Sequence, residues 1–245
     1  HGILNAGLSM FAKVCLRAGL YVYATAEYPS LIRGGHNNLD VRVSDKEIHS
    51  QNRHTDMIIA LNKESIDKHA SKVSENGAII YDDEKESVNK DDLRDDIKLY
   101  PVPLLKIANE VGHAIMRNTV AIGASMALLN FDLSVLNEVI TENFKRKGDE
   151  IVNSNIKAAK SGYDYIKENF DDDFGHHITG SGSHGKMFLS GHDAVAAGAI
   201  KAGCKFYSAY PMTPASSLLT SMAKNESKYD IVVKQTEDEI AAINM

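Results

Sequence analysis

A short apolar segment, DMIIAL at residues 56–61, limits the choice of fold. Apolar side chains stand at successive positions, so both faces would be buried, as in a buried parallel strand. Residues 62–74 follow with a helical pattern, and residues 78–81 form another apolar strand segment. This alternation is typical of a doubly wound, mostly parallel α/β sheet.

Predicted elements on both sides of this segment extend the pattern. Residues 20–25 (LYVYAT) and 39–43 are predicted strands, joined by a loop that contains RGGHN. Residues 104 to about 170 are mostly helical, with apolar side chains at helical spacing. We therefore assign residues 1–168 to one α/β domain with a helical C-terminal part.

A change in composition separates a second domain. Residues 169–189 are acidic at first and then rich in glycine, serine and histidine, which is typical of a flexible linker. Such a spacer has no fixed geometry, so we assign no metal to its histidines (His176, His177 and His184). Residues 190–245 again alternate between helix and strand, and we assign them to the start of a second α/β domain.

Charge and cysteine content exclude several classes of partner. The net charge is −6 without any basic block, which argues against nucleic acid or an anionic membrane surface as the main partner. The longest apolar run, residues 119–129, is too short to span a bilayer. The two cysteines, Cys15 and Cys204, fit a reducing cytoplasm and are too few for a [4Fe–4S] cluster. Because His1 and Met245 both fall inside helical patterns, we expect a piece of a longer protein.

The segment YPMTP at residues 210–214 follows a predicted strand and precedes a predicted helix. A residue before proline is extended, and Pro214 suits the first position of a helix, so Thr213 is predicted as the N-cap. The residues alone favour a well-formed strand-to-helix turn. The same geometry would also suit a binding site for a small anion beyond the carboxyl end of the strand.

The last predicted helix also permits two interpretations. Thr236-x-x-Glu239 matches a capping box, in which the glutamate turns back to the N-cap amide. Alternatively, the apolar residues from Ile240 to Ile243 indicate a closely packed setting. Such a setting raises the pKa of a carboxyl group and lets it share a proton with a ligand nitrogen. One side chain cannot do both, and the residues alone favour the capping box.

The loop RGGHN is a third candidate site. Gly34 and Gly35 would let the backbone approach a ligand closely, and Arg33 would suit a phosphate group. A structural turn whose arginine forms an ion pair explains the same residues equally well.

These segments together resemble a known enzyme family. SGHDAVAAGAIKAGCKFYSAYPMTPASS and the later VVKQTEDEIAAINM resemble the start of the alpha subunit of 2-oxoacid:ferredoxin oxidoreductases. NAG, EYPSLIRGGHN, VRVSD, DMIIALNKES and NTVAIGASMALL resemble the gamma domain of the same family. The resemblance covers nearly the whole chain, in the gamma-then-alpha order of the fused subunit. Family gamma domains usually begin with a strand and a glycine-rich loop, which are missing before Gly2.

The resemblance implies an enzyme that decarboxylates a 2-oxoacid oxidatively to an acyl-CoA, uses thiamine diphosphate and passes electrons to ferredoxin. It implies that residues 190–245 start the domain that holds the thiamine pyrimidine. Glu239 matches the glutamate that contacts the aminopyrimidine ring. Thr213, with Tyr210 and Pro211, matches the region near the substrate carboxylate and the cofactor.

The resemblance also implies where coenzyme A, magnesium and the iron–sulfur cluster bind. Arg33, Gly34 and Gly35 fall in the coenzyme A region. Magnesium with the diphosphate and the [4Fe–4S] cluster would belong to a separate beta subunit, so residues 1–245 alone are predicted to be inactive. Fused gamma–alpha order suggests 2-oxoglutarate or a broad range of 2-oxoacids.

Two other functions stay open at this stage. One is a noncatalytic α/β interaction or nucleotide-binding module that keeps only the fold. The other is an indolepyruvate-type thiamine oxidoreductase, although its domains come in a different order. A dinucleotide-dependent dehydrogenase is disfavoured because the sequence has no G-x-G-x-x-G segment.

Overall fold

The structure, a computed structural model, describes residues 6–27, 35–84, 88–180, 182 and 185–245. The chain divides into two units, His1–Lys186 and Met187–Met245. The predicted functional domain boundaries stay a prediction.

The described residues of the first unit form two sheets. Strands β1 (Tyr21–Glu27) and β2 (Asn38–Ser44) pair antiparallel. Strands β3 (Thr55–Ala60), β4 (Val73–Asp82) and β5 (Lys98–Val102) form a parallel sheet in that order. The predicted α/β class is confirmed. The β1–β2 pair forms a sheet of its own, which the prediction of one mostly parallel sheet did not include.

Helices enclose the parallel sheet of the first unit. The helices are a π-helical stretch at Gly7–Ala12 that runs into α1 (Lys13–Arg17), then α2 (Lys63–His69), α3 (Leu104–Val111), α4 (Arg117–Leu128), α5 (Leu133–Phe144) and α6 (Asp149–Asn169). Side chains alternate across a strand, so Ile79 and Ile80 of β4 face opposite sides. Ile79 packs with Ile66 of α2, whereas Ile80 packs with residues of α4 such as Val120. The sheet is therefore covered on both faces, as its apolar strands require.

Helices α4 and α6 pack backbone against backbone. A methyl group at Gly123 of α4 would overlap the carbonyl oxygen of Ala159, and one at Gly162 of α6 would overlap that of Val120. The hydroxyl of Thr119 is buried in the same contact and donates to Asn155 Oδ1 at 3.0 Å. This close approach is possible only because glycine has no side chain.

The described first half of the predicted flexible linker is part of the first unit's core. Phe174 is 4% exposed and packs in the same cluster as Ile80. The amide of Ile178 donates to the carbonyl of Leu129 at 3.1 Å, and the hydroxyl of buried Tyr100 donates to Asp172 at 2.7 Å. Aromatic and aliphatic side chains therefore anchor this polar segment to the core. The overall composition of the segment did not indicate this contact.

The second unit is a small βα arrangement. Its helices are α7 (Gly191–Lys201), α8 (Ser216–Lys224), α9 (Glu226–Tyr229) and α10 (Glu239–Asn244), and its strands are β6 (Phe206–Ala209) and β7 (Val232–Gln235). The two strands pair parallel, with Phe206 opposite Val232 and Ala209 opposite Gln235. Its buried core consists of Ala196, Met222 and Ile231.

Across the described part of the chain, every helix is too short or too polar to cross a lipid bilayer.

Candidate active site

The YPMTP segment and the start of α10 lie at the same edge of one sheet. Strands β6 and β7 are parallel neighbours, so their carboxyl ends meet at one edge, where ligands bind in open α/β sheets. YPMTP follows the last residue of β6, and Thr236 follows the last residue of β7. The amide of Thr236 donates to the carbonyl of Ala209 at 3.1 Å. The loop that carries Thr213 and the turn that leads to Glu239 therefore start side by side.

The predicted capping box at Thr236 is wrong. Asp238 is the N-cap of α10, and its Oδ1 accepts the amide proton of Ala241 at 2.7 Å. Thr236 is buried, and its hydroxyl donates to the carbonyl of Asp238 at 3.0 Å. This bond holds Thr236 in the turn before the helix, so the helix begins two residues later than the capping box requires. Glu239 is consequently the first helical residue and does not cap.

Glu239 is exposed at the head of α10. Within the described residues its carboxylate has neither a hydrogen-bond partner nor an ion-pair partner, so both oxygens are free for a ligand. The closely packed apolar setting inferred from the sequence is not found there, because Ile240 and Ile243 are 73% and 87% exposed. The predicted catalytic role of Glu239 stays a prediction.

Thr213 is likewise not the N-cap that was predicted. Helix α8 begins at Ser216, after a turn at residues 213–215, and Ala215 stands at its N-cap position without a side-chain cap. The peptide bond between Thr213 and Pro214 is cis. The amide of Ser216 donates to the carbonyl of Met212 at 3.0 Å, which closes the turn.

The substrate-binding residues proposed from the sequence are open to solvent. Thr213, Tyr210 and Pro211 are all exposed in the loop after β6. Their side chains are therefore accessible at the carboxyl edge of the sheet, next to the turn before α10. Their predicted role in binding the substrate stays a prediction.

Ser208 links the two sides of this site, and sequence reasoning missed it. Its hydroxyl donates to the carbonyl of Ala242 in α10 at 2.6 Å. The neighbouring Tyr207 packs on the core of the unit, so Ser208 points to the opposite face of β6. The only sequence signal was one polar residue at an alternate position of a short strand, which does not reveal its partner.

A second hydrogen-bonded group fixes the start of α7. Asp193 accepts from the hydroxyls of Ser221 at 2.5 Å and Ser190 at 2.7 Å. These hydrogen bonds, that of Ser221 first, hold the pKa of Asp193 below its usual value. The bond from Ser221 connects α8 to α7, and the bond from Ser190 caps α7; both helices pack on the core face of the sheet.

The RGGHN loop is described from Gly35 onward. Arg33 and Gly34 lie outside the described residues. Gly35 has a φ of +84°, a conformation that favours glycine, and its carbonyl accepts from the Asn37 side chain at 3.2 Å. His36 Nε2 lies 2.7 Å from Nε2 of His69, the last residue of α2. Burial, and then the charge of Lys72, lower the pKa of His69.

A buried carboxylate at the carboxyl end of β4 was also missed. Asp82 is fully buried, and among the described residues neither of its oxygens has a hydrogen bond. Its charge is balanced by Arg117 at the start of α4, with 3.5 Å between Arg117 Nη1 and Asp82 Oδ2. An aspartate that follows a run of apolar residues can equally lie in a surface turn, so its burial depends on the tertiary fold.

Two family models match this chain. The model described as pyruvate ferredoxin/flavodoxin oxidoreductase matches residues 1–165. The model described as pyruvate flavodoxin/ferredoxin oxidoreductase, thiamine diphosphate-binding, matches residues 197–245. The second match contains both YPMTP and the start of α10.

The names of individual proteins that are similar to this chain agree with these family models. A 2-oxoacid:ferredoxin oxidoreductase subunit alpha from Sulfolobus sp. is 27% identical over 296 aligned residues, which cover 99% of this chain and 45% of that protein. The structure of 2-oxoglutarate:ferredoxin oxidoreductase from Magnetococcus marinus, with 2-oxoglutarate, coenzyme A and succinyl-CoA bound, has a TM-score of 0.90 and 31% identity. It covers 99% of this chain and 42% of that one. This chain thus spans less than half the length of these relatives.

A third comparison concerns the fold. The gamma subunit of a keto/oxoacid ferredoxin oxidoreductase from Geobacter sulfurreducens has a TM-score of 0.55 and 23% identity. It covers 68% of this chain and 94% of that subunit, and at this identity it supports the fold alone. On the match over residues 1–165, the chain belongs to the pyruvate ferredoxin/flavodoxin oxidoreductase family.

Proposed function

We propose that this chain is part of a gamma–alpha subunit of a 2-oxoacid:ferredoxin oxidoreductase. The enzyme converts a 2-oxoacid and coenzyme A to an acyl-CoA and carbon dioxide, and passes the electrons to ferredoxin. One observation carries the proposal. Thr213 and Glu239 follow adjacent parallel strands at one sheet edge, inside the segment matched by the thiamine diphosphate-binding family model.

The side chains at this edge fit one side of a thiamine cofactor. A ring nitrogen needs a carboxyl group that can hold or release a proton, and Glu239 presents an exposed carboxylate that is not used in capping. Thiamine diphosphate, when bound, supplies the centre that accepts electrons as the 2-oxoacid loses carbon dioxide. The role of Glu239 is to exchange a proton with the pyrimidine ring.

Thr213 orients the substrate in this proposal. Its hydroxyl is exposed in the loop after β6 and can donate to a carboxylate oxygen of the oxoacid. Tyr210 and Pro211 are part of the same loop. Glu239 handles the cofactor proton and Thr213 holds the substrate, so the two residues have separate tasks.

The remaining groups are assigned to other parts of the enzyme. We assign the [4Fe–4S] cluster, magnesium and the diphosphate to a beta subunit, because residues 1–245 contain two cysteines and a [4Fe–4S] cluster normally takes four. Arg33, Gly34 and Gly35 bind coenzyme A in the first unit. The best candidate substrate is 2-oxoglutarate, which is bound in the structure from Magnetococcus marinus.

The test uses the complete subunit expressed with its beta partner. Reduction of ferredoxin or a viologen is measured with pyruvate, 2-oxoglutarate and branched-chain oxoacids, each with coenzyme A. We expect the highest kcat/KM with 2-oxoglutarate. Failure of the assembled enzyme to bind thiamine diphosphate would instead support a noncatalytic module.

Glu239→Gln tests the assigned acid. The amide keeps the shape of the side chain but cannot exchange the proton, so we expect kcat to fall by about 100-fold or more. Glu237→Gln is the matched control, because Glu237 is an exposed acid two residues away. Near-normal turnover of Glu239→Gln would remove Glu239 from the mechanism.

A further inference from the structure

We infer that Ser208 is a positioning residue, which sets the place of Glu239 through its hydrogen bond to helix α10. The inference rests on the proposed function, because it concerns the acid assigned there. Ser208 lies outside both YPMTP and the segment around Glu239.

Within the described residues, helix α10 (Glu239–Asn244) has few other means of holding its position. Its largest apolar side chains, Ile240 and Ile243, are mostly exposed, so burial of apolar surface contributes little to holding it. The Asp238 cap stabilises the helix within itself but does not fix it to the sheet.

The bond from Ser208 supplies that fixation. Ser208 is part-buried, and its 2.6 Å bond to the Ala242 carbonyl joins the middle of β6 to α10. Ala242 is three residues after Glu239 and therefore lies on nearly the same side of the helix. If this bond is lost, the helix can tilt about its first turn and displace the carboxylate.

The same bond couples the two halves of the site. Two residues after Ser208, β6 has ended and the loop with Thr213 has begun. On the other side, the backbone bond from Thr236 to Ala209 fixes the turn before α10. One hydroxyl and one amide thus fix the spacing between the residue assigned to the substrate and the residue assigned to the cofactor.

The experiment compares Ser208→Ala and Ser208→Thr in the complete subunit assembled with its beta partner. Ser208→Ala removes the donor, and Ser208→Thr keeps a hydroxyl in a residue that strands accept. For Ser208→Ala we expect kcat to fall about 10-fold or more with KM for the oxoacid and coenzyme A unchanged, since small displacements of catalytic groups are costly. Ser208→Thr should restore most of the activity.

A second readout does not depend on turnover. Hydrogen–deuterium exchange of residues 238–245, measured in the assembly without thiamine diphosphate, should become faster in Ser208→Ala and return towards normal in Ser208→Thr. Thr220→Ala is the matched control, because Thr220 Oγ1 also donates to a backbone carbonyl, that of Ser216 at 3.0 Å, but within α8. It should change neither kcat nor exchange in α10.

The outcomes separate this inference from the proposed function. If Glu239→Gln abolishes turnover while Ser208→Ala leaves turnover and exchange unchanged, the positioning role is wrong and the function stands. If Glu239→Gln keeps near-normal turnover, the assignment of the acid fails and the positioning role fails with it. Lost turnover in Ser208→Ala with a raised KM and no rescue by threonine would indicate a general structural defect and also overturn the inference.

Discussion

At the scale of single residues, the choice of N-cap decides how the acid of α10 can be used. Thr236 and Asp238 are both good N-cap residues, and the sequence alone favoured Thr236 because Glu239 completes a capping box. In the structure Asp238 caps and Thr236 supports the turn. Glu239 is thereby released from a purely local task. The two earlier interpretations of Glu239 no longer compete for one side chain.

Asp82 shows a residue-scale dependence on one charged partner. Arg117→Ala leaves a fully buried carboxylate uncompensated, so we expect the first unit to lose about 3 kcal/mol of unfolding free energy. Urea denaturation measures this change in unfolding free energy. Lys160→Ala is the control: it breaks the exposed pair of Lys160 with Asp164 and should cost about 0.5 kcal/mol or less. Equal losses would show that Asp82 does not depend on Arg117.

At the scale of elements, the contact between α4 and α6 reverses a general rule about glycine. Replacing glycine by alanine inside a helix normally stabilises it by about 1 kcal/mol. At Gly123 the added methyl would overlap the Ala159 carbonyl, and at Gly162 it would overlap the Val120 carbonyl. The two helices would have to separate, and the buried bond between Thr119 and Asn155 would be disturbed.

We therefore expect Gly123→Ala to destabilise the first unit by about 2 kcal/mol, as overpacked cores do. Gly198→Ala, in the middle of α7, is the matched substitution: nothing lies within 4 Å of the added methyl, so it should be neutral or slightly stabilising. Thermal unfolding of both variants against the parent protein decides the matter. A stabilising Gly123→Ala would mean that the helices are not in backbone contact.

The contact between His36 and His69 connects a loop to a helix and should respond to pH. At 2.7 Å one imidazole must donate and the other accept, so protonating both breaks the bond and places like charges together. The pKa of His69 is lowered in the folded state, chiefly by burial. The unfolded state therefore binds more protons, and this stability is complete above the ordinary pKa of about 6.5 and is lost as pH falls through the lower folded pKa.

We expect the first unit to lose stability as the pH falls below about 6.5, and to lose less in His69→Gln. Urea midpoints at several pH values give the comparison, and NMR titration of the His69 ring reports its pKa directly. His54→Gln serves as the control because His54 is exposed. An unchanged pH dependence in His69→Gln would rule out this pair as the cause.

At the scale of the whole molecule, the order of elements followed from apolar patterning, but their pairing did not. DMIIAL and the segment at residues 78–81 became neighbouring parallel strands, the first mostly half-buried and the second buried, because a parallel sheet covered on both faces removes such apolar side chains from water. The strand pair before them formed an antiparallel sheet of its own, since pairing depends on contacts far apart in sequence. The same holds for the site: YPMTP and Glu239 could be found in the sequence, whereas the partners of Ser208 and Asp82 could not.

Residues 1–245 alone should not catalyse the reaction, although both units are folded. The proposed division leaves the magnesium–diphosphate site and the electron-accepting cluster on the beta subunit, so decarboxylation cannot be coupled to electron transfer. The assay is viologen reduction by residues 1–245 with thiamine diphosphate, 2-oxoglutarate and coenzyme A, beside the assembled complete enzyme. Turnover by residues 1–245 would overturn the division.

The parallel pairing of β6 with β7 fixes the position along the strand and the face of the sheet for each side chain at the site. An extra residue inserted into β6 before Ser208 would move everything after it by about 3.3 Å along the strand. It would also turn every following side chain to the other face, so Ser208 would face the core and could no longer reach α10. Length changes in these two strands should therefore be far more harmful than length changes in the turns around them.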